Sequence, residues 1–164
     1  MDLSDIEIIV SEIDGVITDG RNATDYLNNI IFKSFYTADF EFINYLKTYF
    51  TFVFLSSDPS ISYNVMRQRN IPTYFSSSNE SKLNILNRKI LPRYNTSTEN
   101  LIYIGSKLSD IQCMNSAEIS MTLSNTSFKL KRRSNYIFSS SSGNGVITEL
   151  YDLLTDEIKK RERK

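Results

Sequence analysis

The sequence contains no histidine and a single cysteine, Cys113. Without histidine there is no Ser-His or Cys-His nucleophile pair and no imidazole metal ligand. One cysteine excludes an intrachain disulfide and a Cys-rich zinc site. No apolar run approaches the roughly 20 residues that a membrane-spanning helix needs. The acidic start MDLSDIE lacks a signal-peptide core, so the expected location is the cytoplasm. An excess of one charge is also missing. Nineteen basic residues balance 19 acidic ones, so no net field draws in nucleic acid or a membrane, and neither is an expected partner. The dense positive cluster KKRERK, residues 159–164, is accounted for by a helix C-terminus complementing its own dipole.

What is present suits one globular domain over residues 1–164, with 40% hydrophobic and 23% charged residues. Strand-like and helix-like segments alternate. IEIIVSEI (6–13), TFVFLSS (51–57), LIYIG (101–105), EISMTL (118–123) and NYIF (135–138) are short, β-rich apolar runs, and IPTYF (71–75) is a further short strand. DFEFINYLKTYF (39–50) places Phe42, Ile43, Leu46 and Phe50 at helical spacing, with Asp39 as the expected N-cap. Pro59 is expected in the first turn of a second helix. SKLNILNRKIL (81–91) predicts a helix with Leu83, Leu86 and Ile90 inward, and VITELYDLLTDEI (146–158) a final amphipathic one. Two segments around Asn28-Asn29 predict a β-hairpin over about residues 21–37. Such alternation predicts an α/β fold with a mostly parallel central sheet and helices on both faces.

In a sheet of this kind ligands sit beyond the carboxyl ends of the strands. Four loops are expected to meet there: Glu12 to Gly15, Ser56 to Asp58, the region of Lys82, and Gly105 to Asp110. Glu12 is expected to be a solvated strand-end carboxylate. Asp58 is expected to begin a turn and cap the next helix, and Lys82 is an ordinary surface residue unless the other loops give it a role.

IDGVITDG, FLSS, SKL, YIGSKLSDIQCM and SGNGVITEL, in this order, resemble the motifs of the haloacid dehalogenase superfamily. The closest likeness is to its capless branch, the 3-deoxy-manno-octulosonate 8-phosphate phosphatases, and runs from about Ile6 to Ile158. The resemblance implies a three-layer Rossmann-like fold with a protruding hairpin and no large cap domain. It implies that Glu12 holds the nucleophile position and Asp14 that of the acid/base. Ser56 and Ser57 stand in the phosphate loop, with Lys82 as the neutralising lysine. Glu12, Asp14 and Asp110 are what remains of a magnesium site. Gly143, Asn144 and Gly145 match the substrate loop, where an arginine is common at the middle position. Glu149 also matches. Asp39 matches an Arg-Asp-Gly segment in which Phe40 replaces a small residue that leaves room for substrate.

Several departures fall on the chemistry. Glu12 is one methylene longer than the aspartate of the family, and a shift of about 1 Å can cost on the order of a hundredfold in rate. Asp58 puts an anion beside the phosphate loop. Of Gly-Asp-Asp-x-x-Asp, Gly105 and Asp110 remain, while Ser106 and Lys107 replace two aspartates. A hard dication needs those oxygens, and Lys107 is expected to pair with Glu12 or Asp110 in its place. The pattern is similar to the C-terminal assembly domain of animal CMP-sialic acid synthetases. It implies a catalytically impaired homo-oligomer, expected to be a tetramer built on the apolar hairpin, with a sugar-nucleotide enzyme as an implied partner and no cofactor. Two alternatives stay open: a magnesium-dependent sugar-phosphate phosphatase using Glu12, and a sugar-phosphate-binding module without chemistry.

Overall fold

The computed structural model describes residues 2–163. Its centre is a six-stranded sheet of β1 (Ile8–Ser11), β4 (Thr51–Ser56), β5 (Thr73–Phe75), β6 (Leu101–Ile104), β7 (Ile119–Leu123) and β8 (Tyr136–Phe138). The order is β5-β4-β1-β6-β7-β8 and every pairing is parallel. β1, β6 and β7 are buried along their whole length, as strands covered on both faces must be; the runs of β1 and β6 are nearly all apolar, and β7 also buries Ser120 and Thr122. Alternate residues feed two cores. Ile9, Phe52, Phe54, Ile102 and Ile104 pack with helices α1 (Thr37–Leu46) and α7 (Val146–Glu162). Ile8, Val10, Val53, Leu55 and Tyr103 pack on the other face, against the helical run 82–93 and α5 (Ile111–Ser116). The α/β fold with helices on both faces is therefore as the sequence predicts.

α7 buries Val146, Ile147, Leu150, Leu154 and Ile158 at helical spacing. Lys159, Lys160 and Arg161 lie in its last turn, where the dipole favours cations; Lys164 of the predicted cluster lies outside the described residues. α2 (Ser60–Gln68) starts one residue later than predicted, with Pro59 as its N-cap. The run 82–93 is not a regular helix. It comprises α3 (Lys82–Ile85), a π-helical turn (Leu86–Ile90) and α4 (Leu91–Arg93). The wider turn shifts the phase, so Ile85, Leu86, Ile90 and Leu91 are buried and Leu83 is half-buried. α6 (Phe128–Lys131) is a short helix the apolar pattern does not announce.

The hairpin comprises β2 (Ala23–Thr24) and β3 (Ile30–Phe32), shorter strands than predicted. Asn28 adopts φ +65°, and the Asp25 carboxylate accepts the Leu27 and Asn29 amides, which closes the turn. Tyr26, Leu27, Ile31 and Phe32 are exposed on this chain.

Asp39 does not cap its own helix. α1 begins after Tyr36, and Asp39 lies in its first turn. Its Oδ1 instead accepts the Ile147 and Thr148 amides at 3.2 and 3.1 Å, at the start of α7. α7 has Gly145 at its N-cap, which supplies no side-chain acceptor, so the neighbouring helix provides one.

Candidate functional site

The four predicted loops meet beyond the carboxyl ends of β1, β4 and β6. β1 runs into Glu12, and the chain turns at Gly15, φ +83°. A side chain there would meet Ser106 Oγ at 3.0 Å, so glycine lets this turn close against the β6 loop. The Thr18 hydroxyl accepts the Gly15 and Gly20 amides and braces the turn.

Glu12 is fully buried, which corrects the expectation of a solvated carboxylate. Its Oε1 accepts the Ile13 amide at 2.8 Å, and its Oε2 accepts Lys82 Nζ. Lys82 is buried as well, and its ammonium also donates to Asp110 Oδ1 at 2.5 Å. Lys82 therefore bridges the ends of β1 and β6 and is no ordinary surface residue. The Tyr103 hydroxyl donates to the same Asp110 oxygen at 3.0 Å, and the Ser106 and Lys107 amides donate to Oδ2. Lys107 Nζ lies 3.7 Å from Glu12 Oε2 and 3.9 Å from Asp14 Oδ2. The expected Lys107–Glu12 pair is thus present, while Lys107 reaches Asp110 through its backbone. Burial alone would raise the Glu12 pKa; the Lys82 and Lys107 charges and the hydrogen bond from Lys82 outweigh it and hold the carboxyl below its ordinary value.

Asp14 points to a different cation. Lys33, at the end of the hairpin, donates to both Asp14 oxygens, at 3.1 and 2.9 Å, and to Asp58 Oδ2 at 2.7 Å and Ser62 Oγ at 3.1 Å. Asp58 does accept the Ser60 amide at the start of α2, as predicted. It is also the second anion on Lys33, a role its sequence neighbours do not reveal. Ser56 is buried and its hydroxyl has no partner among the described residues. Ser57 is exposed, with its Oγ 3.0 Å from Ser76 Oγ.

The substrate-loop positions separate. Gly143 packs against Thr18 and Asp19, Asn144 is exposed, and Gly145 opens α7. Glu149 accepts the amides of Ser139 and Ser140 and both the Ser139 and Tyr136 hydroxyls, tying the serine-rich loop to α7. Burial would raise its pKa, but bonds from Ser140 and Ser139 bring it down to about 2. Phe40 is buried, its ring 5.9 Å from that of Phe35 and 3.9 Å from the Arg69 guanidinium.

Four carboxylates (Glu12, Asp14, Asp58 and Asp110) and three ammonium groups (Lys33, Lys82 and Lys107) share this edge, one negative charge in excess. A bound magnesium ion needs carboxylate or carbonyl oxygens in near-octahedral array. Here both Asp110 oxygens and both Glu12 oxygens are engaged by protein donors. The Asp14 carbonyl accepts Ser106 Oγ at 2.7 Å. The donor set in this arrangement does not fit a divalent ion, because an ammonium stands between the two carboxylates.

The sequence pattern of the haloacid dehalogenase-like hydrolases matches residues 22–150. The chain belongs to this family. A member of the haloacid dehalogenase-like family therefore carries the site just described, although the matched span begins after Glu12 and Asp14. A comparison with curated proteins finds none that matches. Solved structures similar to this fold include the cobalt-bound deoxy-D-mannose-octulosonate 8-phosphate phosphatase of Haemophilus influenzae. It is 21% identical, with TM-score 0.83 over 94% of this chain and 90% of that one. The 3-deoxy-D-manno-octulosonate 8-phosphate phosphatase of Moraxella catarrhalis, in complex with magnesium, phosphate and KDO, is 19% identical. Its TM-score is 0.83 over 94% of this chain and 88% of that one. The Yersinia pestis phosphatase of the same name is 19% identical, with TM-score 0.81 over 93% and 82%. These likenesses show the shared fold.

Sequence reasoning missed Lys33 and Tyr103 in the site of this haloacid dehalogenase-like protein. The signal for Lys33 was an isolated cation in the apolar stretch IIFKSF. Tyr103 had none, since an aromatic residue in a buried strand looks like core.

Proposed function

We propose that this chain is a catalytically impaired member of the family that acts through its surface, as an assembly or regulatory domain working without a metal cofactor. The observation that carries this reading is Lys107, which stands with Ser106 in place of two aspartates and puts its ammonium 3.7 Å from Glu12 and 3.9 Å from Asp14. A cation built into the chain holds the loops together and supplies neither a Lewis acid nor a free nucleophile. Lys33 binds both oxygens of Asp14, so the acid/base position is engaged as well. The exposed Tyr26, Leu27, Ile31 and Phe32 supply an apolar surface for assembly into a homotetramer. Acidic-sugar metabolism (octulosonate or sialic acid) is the proposed setting, with a sugar-nucleotide enzyme as partner. Phosphatase assays over several sugar phosphates with excess magnesium, run beside Glu12→Ala, test the reading. The expected result is no turnover above background, no magnesium heat in calorimetry, and a solution mass of a tetramer. Magnesium-dependent turnover lost in Glu12→Ala would overturn it in favour of a phosphatase using Glu12.

A second reading rests on Ser56, whose buried hydroxyl lacks a partner and supplies a donor for an anion. On that reading the domain binds a sugar phosphate without chemistry, and thermal stabilisation by such ligands is its test.

A further inference from the structure

Lys33 has a fully buried side chain, and a buried ammonium requires anionic partners. Asp14 supplies one, bound through both oxygens. Asp58 supplies another, and it differs from Asp14 in being 26% exposed and mounted on the loop after β4. One of its oxygens meets Lys33 Nζ at 2.7 Å and the other accepts the Ser60 amide at 3.0 Å. The Ser62 hydroxyl lies 3.1 Å from the same ammonium. Pairing Lys33 with Asp14 alone would already balance its charge. The additional carboxylate brings the whole cluster to one negative charge in excess.

We infer that Asp58 is a tethered anion: its carboxylate fills an oxyanion position made by Lys33 Nζ and the Ser60 amide, and so keeps an external phosphate out. The site is closed by the chain itself. The occupant it would take once vacated is inorganic phosphate or a phosphate monoester, because the donors are an ammonium and a backbone amide, 2.7 and 3.0 Å from the carboxylate oxygens they hold. Removing the Asp58 charge brings the cluster to neutrality and removes the repulsion an incoming oxyanion meets.

Asp58→Asn tests this, since it keeps the size of the side chain and removes the charge, so that an incoming phosphate displaces a neutral amide in place of a carboxylate held by Lys33. Inorganic phosphate is titrated by calorimetry into the intact chain, into Asp58→Asn and into the double variant Lys33→Met/Asp58→Asn. Circular dichroism confirms each fold, and Asp58→Ser serves if Asp58→Asn does not fold. Phosphate is expected to bind the single variant at least about tenfold more tightly than the wild type, with the gain lost in the double variant. Asp58→Glu, which keeps the charge, is expected to show no gain. Equal phosphate affinity in wild type and Asp58→Asn overturns the inference, as does a gain that survives Lys33→Met. None of these readings depends on magnesium or turnover, so failure here is distinct from failure of the impaired-catalyst reading.

Discussion

Lys82 Nζ lies 2.5 Å from Asp110 Oδ1, with both side chains buried and Glu12 on the other side of the ammonium. Removing one partner from a buried ion cluster leaves uncompensated charge and typically costs about 3–5 kcal/mol. Lys82→Met is expected to lose stability on that scale in urea unfolding. It also frees Glu12 Oε2 and Asp110 Oδ1 from the Lys82 ammonium, so that an external cation can take them. Millimolar magnesium or calcium should then raise the melting temperature of the variant and leave the wild type unmoved. An equal rise in both proteins would refute the account of Lys82 as a built-in counter-ion.

Glu12 fixes the sign of an acid dependence. Its folded pKa lies below the ordinary 4.5, so the ionised form is the one the fold favours. The stability it contributes is present above that ordinary value and is lost as pH falls through the folded pKa. Glu12→Gln keeps an acceptor for the Ile13 amide and abolishes the charge. The stability difference between wild type and variant should therefore be widest above about pH 5 and shrink on acidification. Unfolding curves over a pH series measure it. A difference that stays constant would mean that the Lys82 and Lys107 charges do not act on Glu12.

The strands and the loop edge were legible because a parallel strand buried on both faces is rich in apolar residues, nearly continuously so in β1, β4 and β6, while β7 is read from its β-rich residues although Ser120 and Thr122 interrupt it. Side-chain environment was not legible in the same way. Whether Glu12 is solvated depends on Lys82, 70 residues away, and whether Lys33 is buried depends on Asp14 and Asp58, at separations of 19 and 25. Such pairings leave no periodic trace. Asp39 illustrates a related failure. Its spacing fits an N-cap, yet the helix it serves begins more than 100 residues later, at Val146. The π-helical turn at Leu86–Ile90 has no local signature in an otherwise helical stretch.

Asp39 also makes an opposite pH prediction. Burial, its main cause, raises the pKa to about 6, and the bonds from Thr148 and Ile147 offset this only in part; Oδ2 has no partner. A carboxyl whose folded pKa is raised stabilises most when protonated. Its contribution is full below the ordinary 3.8 and is lost as pH rises to about 6. Asp39→Asn cannot ionise and lacks this slope. Wild type minus Asp39→Asn, from urea unfolding, should therefore fall between about pH 4 and pH 6 and level off above. A difference that rises over this interval would overturn the assignment.

Gly143 and Gly145 both adopt positive φ, +67° and +84°, yet their surroundings differ. A Cβ on Gly143 would lie 2.6 Å from the Asp19 amide nitrogen and 2.8 Å from the Thr18 carbonyl carbon, backbone atoms that cannot swing aside. The Gly143 amide also donates to the Val16 carbonyl at 2.9 Å, which holds the serine-rich loop against the turn carrying Asp14. At Gly145 the nearest atom would be 3.5 Å away, on the Tyr36 ring, so the backbone conformation is the main cost. Gly145→Ala should thus lose about 1–2 kcal/mol, the left-handed penalty alone. Gly143→Ala should lose more than that and loosen the Thr18 turn. Faster amide exchange at residues 15–20 is expected in Gly143→Ala and not in Gly145→Ala. Equal stability loss in the two variants would show that the close approach of Gly143 to Asp19 does not carry the contact between loop and site.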